Sequence, residues 1–159
     1  MLDAGCGTGE NALFLAERGH AVLGIDFAAG AVAQATRKAA ARGLSGLAAF
    51  LVRDALQPGD LGRTFDTVLD VGLFHTLQPA DRAAYSAAVR AVTNPGGRCL
   101  VVAWSDRNPF GYGPERVHRR DLRAAFSAAW RVESDEADEL ETLLPGGHVQ
   151  AWLARMSAR

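Results

Sequence analysis

The chain has 159 residues, 48% of them hydrophobic, and a formal net charge of −1. That length is enough to bury a sizeable core in one domain over 1–159, and the near-zero charge argues against a nucleic-acid or membrane-surface partner. No apolar run approaches the ~20 residues of a membrane span, and the first residues lack the basic-then-apolar pattern of a secretory leader.

The two cysteines, Cys6 and Cys99, give no disulfide framework and suit a reducing cytoplasm. No metal site is expected. Leu2 and Ala4 lead into Gly5-Cys6-Gly7-Thr8-Gly9, and an amphipathic run begins at Glu10. This reads as a buried strand, a tight glycine turn and the start of a helix. Glycine there permits positive φ and close approach of a ligand to the main chain. Dinucleotide folds use G-x-G-x-x-G, but here the third glycine position holds Glu10. Asp3 and Glu10 flank the turn, so a pyrophosphate would meet like charge and a cationic ligand would be favoured.

Apolar residues at 12–16 predict a helix over 10–18, capped by Gly19. Residues 21–26 read as a second strand ending in Asp26, placed about twenty residues after the turn, where an acid can accept from ribose hydroxyls. An alanine-rich helix over 28–42 and a third strand over 48–53 follow, with Asp54 and Ala55 just past it. The fourth strand and its loop run from Thr64 to His75, and a helix over 79–92 ends in the turn Asn94-Pro95-Gly96-Gly97. A fifth strand over 98–104 opens into a loop holding Arg107, Phe110 and Tyr112. Arg116, His118, Arg119, Arg120 and Arg123 cluster at the next helix, where a solvated helix start competes with an anion-binding role. The stretch 131–140 begins as a strand and becomes acidic, and Pro145-Gly146-Gly147 turns the chain into a last strand over 149–156. The pattern predicts a three-layer α/β sandwich with a mostly parallel sheet and an antiparallel last strand.

The stretch Leu2–Gly9, the acid at Asp26 and the Pro-Gly-Gly turn before a strand resemble class I S-adenosylmethionine-dependent methyltransferases. The resemblance implies S-adenosyl-L-methionine as cofactor, with Asp3, Gly5, Cys6, Gly7, Thr8 and Gly9 forming its turn. It puts ribose on Asp26, adenine on Phe27, Asp54 and Ala55, and the donor's amino end near Asp70. His75 and Tyr112 become the candidates for catalysis on the substrate side. Two alternatives stay open: Asp54 as a turn cap, and His75 as a core histidine bonded to backbone.

Gly7–Leu13, Leu73-Phe74-His75 and Gly111–Pro114 look most like the small-molecule branch with thiopurine and thiol or halide methyltransferases, so the acceptor is expected to be a small nucleophile. Members of the family normally carry one or two helices ahead of the first strand. None precedes Leu2, so the pocket is expected to be open and turnover to suffer more than cofactor binding. The rivals are a nicotinamide-dependent oxidoreductase, disfavoured by Asp3 and Glu10, and a non-catalytic cofactor-binding module. Oligomeric state is left open.

Overall fold

A computed structural model describes every residue except 60, 110–112 and 143–145. The strands are β1 (Leu2–Ala4), β2 (Val22–Asp26), β3 (Ala48–Val52), β4 (Phe65–Val71), β5 (Thr93–Trp104), β6 (Trp130–Glu141) and β7 (His148–Ala158). The helices are α1 (Glu10–Ala16), α2 (Ala29–Ala41), α3 (Arg82–Ala91) and α4 (Arg119–Phe126). The seven strands form one sheet in the order β3-β2-β1-β4-β5-β7-β6. All neighbours pair in parallel except β7, which runs antiparallel to both β5 and β6.

Side-chain alternation along β2 explains the layers. Val22 joins Ala12, Leu13, Ala16, Val32 and Ala35 in a core under α1 and α2, whereas Leu23 and Ile25 join a larger core with Tyr85, Val89, Leu122 and Phe126 from α3 and α4. Successive residues of a strand point to opposite faces, so the two cores lie on opposite sides of the sheet. The fold is the expected three-layer Rossmann-like sandwich.

The chain winds outward from β1 to β3, then crosses back to place β4 on the other side of β1. Strand order therefore reverses between β1 and β4. In open α/β sheets, ligands bind in the crevice outside the strand carboxyl ends at such a switch point. The glycine turn after β1 and the loop after β4 both open there.

Several boundaries differ from the sequence reading, among them that of α4, which ends at Phe126 and leaves Trp130 to β6. Helix α1 stops at Ala16, and a turn closes on Gly19 at φ +87°. Strand β5 starts at Thr93, so Asn94-Pro95-Gly96-Gly97 lies inside it as a bulge rather than ahead of it. Asn94 Nδ2 donates to Asp66 Oδ1 at 2.7 Å across that bulge, and a Cβ on Gly97 would sit 2.6 Å from Thr93 Cγ2. The acidic stretch is strand throughout, forming the sheet edge as β6. Charge on an edge strand discourages pairing with another chain.

Candidate active site

The glycine turn is held from below and open above. Gly5 N–H and Cys6 N–H both donate to Ile25 O, at 2.9 and 3.0 Å, and Gly9 N–H donates to Cys6 O at 2.9 Å. Gly5, Gly7 and Gly9 all have positive φ. A Cβ on Gly9 would lie 2.8 Å from Ala35 Cβ and the Phe50 ring, and one on Gly5 would lie 2.7 Å from Leu73 Cβ. Gly7, at φ +53°, has nothing within 4 Å of its Cβ position. The outer glycines thus serve packing, and Gly7 bares backbone toward open space. Thr8 is tied to α2, its Oγ1 accepting from Lys38 Nζ at 3.0 Å. Cys6 is buried and its thiol is pushed up to about 12, mainly by burial, so it is an inert filler.

Asp26 links this turn to β2. Its Oδ2 accepts Gly7 N–H and its Oδ1 accepts Ala28 N–H, both at 2.9 Å, leaving the partly exposed carboxylate at the rim. Asp3 is buried beneath the turn, and among the described residues its Oδ2 has no hydrogen-bond partner. Burial, then the nearby Asp70 charge, push Asp3 up to about 7, and Asp26 adds to the effect. Three carboxylates therefore converge on the switch point. Glu10 is not among those that face it. Its carboxylate pairs with Lys38 Nζ at 2.7 Å and Arg42 Nη2 at 3.0 Å, on the α2 side. The preference for a cationic ligand rests on Asp3, Asp26 and Asp70 instead.

Phe27 is 77% exposed beside Asp26, available to a planar ligand. Asp54 is exposed and its Oδ1 accepts Leu56 N–H at 2.9 Å, the turn-capping geometry, while Ala55 is buried behind it. Asp70 is fully buried, and both its oxygens serve the fold. Oδ1 accepts Leu73 N–H at 2.9 Å and Phe74 N–H at 3.2 Å, and Oδ2 accepts Tyr85 O–H at 2.7 Å. Desolvation lifts Asp70 to about 6. Its Oδ1 thereby holds the two amides at the start of the 3-10 turn Phe74–Thr76.

His75 is a core histidine. Its Nδ1 accepts Trp104 N–H at 3.0 Å, and burial, then the Arg82 charge, lower it to about 4. With Nδ1 occupied as an acceptor, the neutral ring carries its proton on Nε2. That ring can donate but has no free lone pair to offer as a base, so of the two readings the sequence left open the geometry matches the core histidine bonded to backbone. Tyr112 and Phe110 lie outside the described residues.

Beyond the loop after β4 lies a groove of about 930 Å³ lined by residues of α3, α4 and the segment after β5. Gly5 touches Leu73, and the Arg82 guanidinium lies 5.3 Å from the ring of Phe74, the next residue. One 3-10 turn thus separates the glycine turn from the groove. His118 and Asp106 line it, with His118 Nδ1 2.9 Å from Asp106 Oδ2 and Trp152 Nε1 donating to Asp106 Oδ1 at 3.1 Å. The basic cluster is split up: Arg119 and Arg123 pair with Asp135 on β6, Arg120 is a solvated surface residue beside Asp121, and only Arg116 and His118 reach the groove. Arg82 was not singled out by the sequence. The signal was there: Arg82, Tyr85, Ser86 and Val89 share the buried stripe of α3.

Residues 1–97 match the methyltransferase domain family. The chain belongs to the class I S-adenosylmethionine-dependent methyltransferases. The methyltransferase is 35% identical over 136 residues to the 2-heptyl-1-hydroxyquinolin-4(1H)-one methyltransferase of Mycobacteroides abscessus, covering 84% of this chain and 59% of that protein. It is 31% identical over 120 residues to an uncharacterized methyltransferase of Schizosaccharomyces pombe, covering 76% of this chain and 81% of the relative. A solved structure concerned with conversion of a disulfide bond into a thioacetal group during echinomycin biosynthesis superposes with TM-score 0.87 at 34% identity, over 99% of this chain and 74% of that one. S-adenosyl-L-methionine is the cofactor of this methyltransferase domain. The site fits it: Gly7 leaves open space for a ligand against the backbone, and the unpartnered Asp3 Oδ2 lies beneath the turn. Among the described residues no helix is long and apolar enough to cross a membrane.

Proposed function

We propose that this methyltransferase methylates a heteroatom of a small acceptor seated in the groove between α3 and α4, with the cofactor on the glycine turn. One observation carries the reading: Leu73, against Gly5 of the glycine turn, is followed by Phe74, whose ring lies 5.3 Å from the groove-lining Arg82 guanidinium, so one short turn links the two places. When bound, S-adenosyl-L-methionine supplies a methyl group on a sulfonium, which an in-line nucleophile accepts. The chain's own contribution is alignment and exclusion of water. Asp26 is the candidate for the ribose, Phe27 for the adenine face, and Asp3 for the cationic amino end.

His118 takes the role first expected of His75. With Asp106 accepting from Nδ1–H, His118 Nε2 keeps a lone pair and can take a proton from an acceptor hydroxyl or thiol as the new bond forms. Acidic ring hydroxyls and thiols are therefore the favoured acceptors. A halide, which needs no base, ranks below them. The relative that acts on a hydroxyquinolinone supports a small planar acceptor.

The test is S-adenosylhomocysteine release across a panel of thiols, ring hydroxyls including 1-hydroxyquinolin-4(1H)-one, and halides, with calorimetry of S-adenosylhomocysteine and NADH alongside. Tighter binding of NADH would overturn the reading. Binding without release on any acceptor would favour a non-catalytic module.

A further inference from the structure

Arg82 is only 4% exposed, yet it is poorly satisfied. A guanidinium carries five N–H donors and cannot shed its charge. Among the described residues Nε has no partner, and the side chain's one hydrogen bond is Nη2 to Glu115 Oε2, at a long 3.5 Å. The side chain otherwise rests over the Phe74 ring. Burying a charge with so little return is unfavourable unless something else completes it. Arg82 and Glu115 both line the groove, and Glu115 is half exposed on the segment after β5, so it can leave without disturbing the core.

We propose that Arg82 is the anchor for an anionic group on the acceptor, a carboxylate or ionised ring hydroxyl, and that Glu115 is the internal counterion this group displaces. The inference deepens the proposed function and rests on the groove being the acceptor site. A planar acid matches both parts of the place. Its carboxylate can take two parallel N–H bonds from the guanidinium fork. Its ring can lie along the apolar wall formed by Pro79, Ala83 and Ala125. Asp106, Glu115 and Asp121 line the same groove as Arg82, Arg116 and His118, and Asp106 already faces His118, so an anion is selected by where it reaches Arg82 rather than by the groove's net charge.

Two probes of equal shape separate the charge from the ring: quinoline-4-carboxylate and quinoline-4-carboxamide, titrated into the full chain saturated with S-adenosylhomocysteine. The carboxylate should bind at least about tenfold more tightly than the amide, the lower end expected for hydrogen bonds to a charged partner. Arg82→Gln should erase that preference, and Arg82→Lys should restore only part of it. Glu115→Gln, at an exposed position, should strengthen carboxylate binding severalfold and leave the amide unchanged, and it serves even if Arg82→Gln folds poorly. Equal affinity for the two probes, or no binding of either, or a Glu115→Gln variant that treats them alike, overturns the proposal. Loss of S-adenosylhomocysteine binding itself would instead count against the functional reading on which it rests.

Discussion

Replacing Asp3 by Asn tests whether a buried carboxylate is kept for the ligand at the expense of the fold. Burial, followed by the Asp70 charge, raises Asp3 from the ordinary 3.8 to about 7. Between those values the folded protein holds a proton that the unfolded chain releases. Stability is therefore complete below the lower value, falls as pH rises, and levels off above about 7. Going from about pH 5 to about pH 8 crosses roughly 2 pH units of that window, so at ~1.4 kcal/mol per unit the wild type should lose about 3 kcal/mol relative to Asp3→Asn. Urea unfolding of both proteins at each pH gives the difference directly, and any constant cost of the buried amide cancels. The same ionisation should make S-adenosylhomocysteine bind more tightly as pH rises toward 7 in the wild type. In Asp3→Asn binding should be weaker and lack that dependence. Stability curves that run parallel from pH 5 to 8 would refute the argument, because they would mean that Asp3 carries no extra proton in the folded state.

Asp26→Asn should weaken S-adenosylhomocysteine binding by about 1.5–3 kcal/mol in calorimetry, since hydrogen bonds to a charged acceptor are lost. Gly9→Ala places a Cβ 2.8 Å from Ala35 Cβ and the Phe50 ring at φ +84°, and should cost about 2–4 kcal/mol of stability in urea melts. His75 is held at about 4 by burial, then Arg82, so it contributes a penalty as pH falls below its ordinary value of 6.5; relative to His75→Gln, the wild type should gain stability between about pH 4 and 6.5. His118→Asn should lower kcat for a ring-hydroxyl acceptor by about 10²-fold or more at neutral pH and leave an already ionised thiol nearly unaffected.

Local chemistry decided the start of the fold. Gly5, Gly7 and Gly9 require positive φ, and alternation along β2 assigns its residues to two faces, so a glycine turn on a parallel strand was legible from residues alone. Asp26 was legible for the same reason, because strand and helix lengths between it and the turn are nearly constant in such units. The family resemblance could be read from the same short stretch.

Tertiary structure decided everything that depends on what a side chain meets far away in the chain. Glu10 and Asp3 look alike in sequence, yet Lys38 and Arg42 on α2 take up Glu10, while Asp3 is buried without a cation, held by the Ala12 amide. In the sequence His75 was the candidate base and His118 one member of a basic cluster. Only the long-range contacts separate them, one receiving Trp104 N–H and the other facing Asp106. That Asp70 holds Tyr85 and two loop amides could not be read from the sequence either. Arg82 carried no reading in the sequence, and its burial beside the groove depends on elements that folding brings to it. Backbone conformation is set within a few residues, whereas the charge and hydrogen-bonding state of a side chain is set by partners that only folding brings within reach.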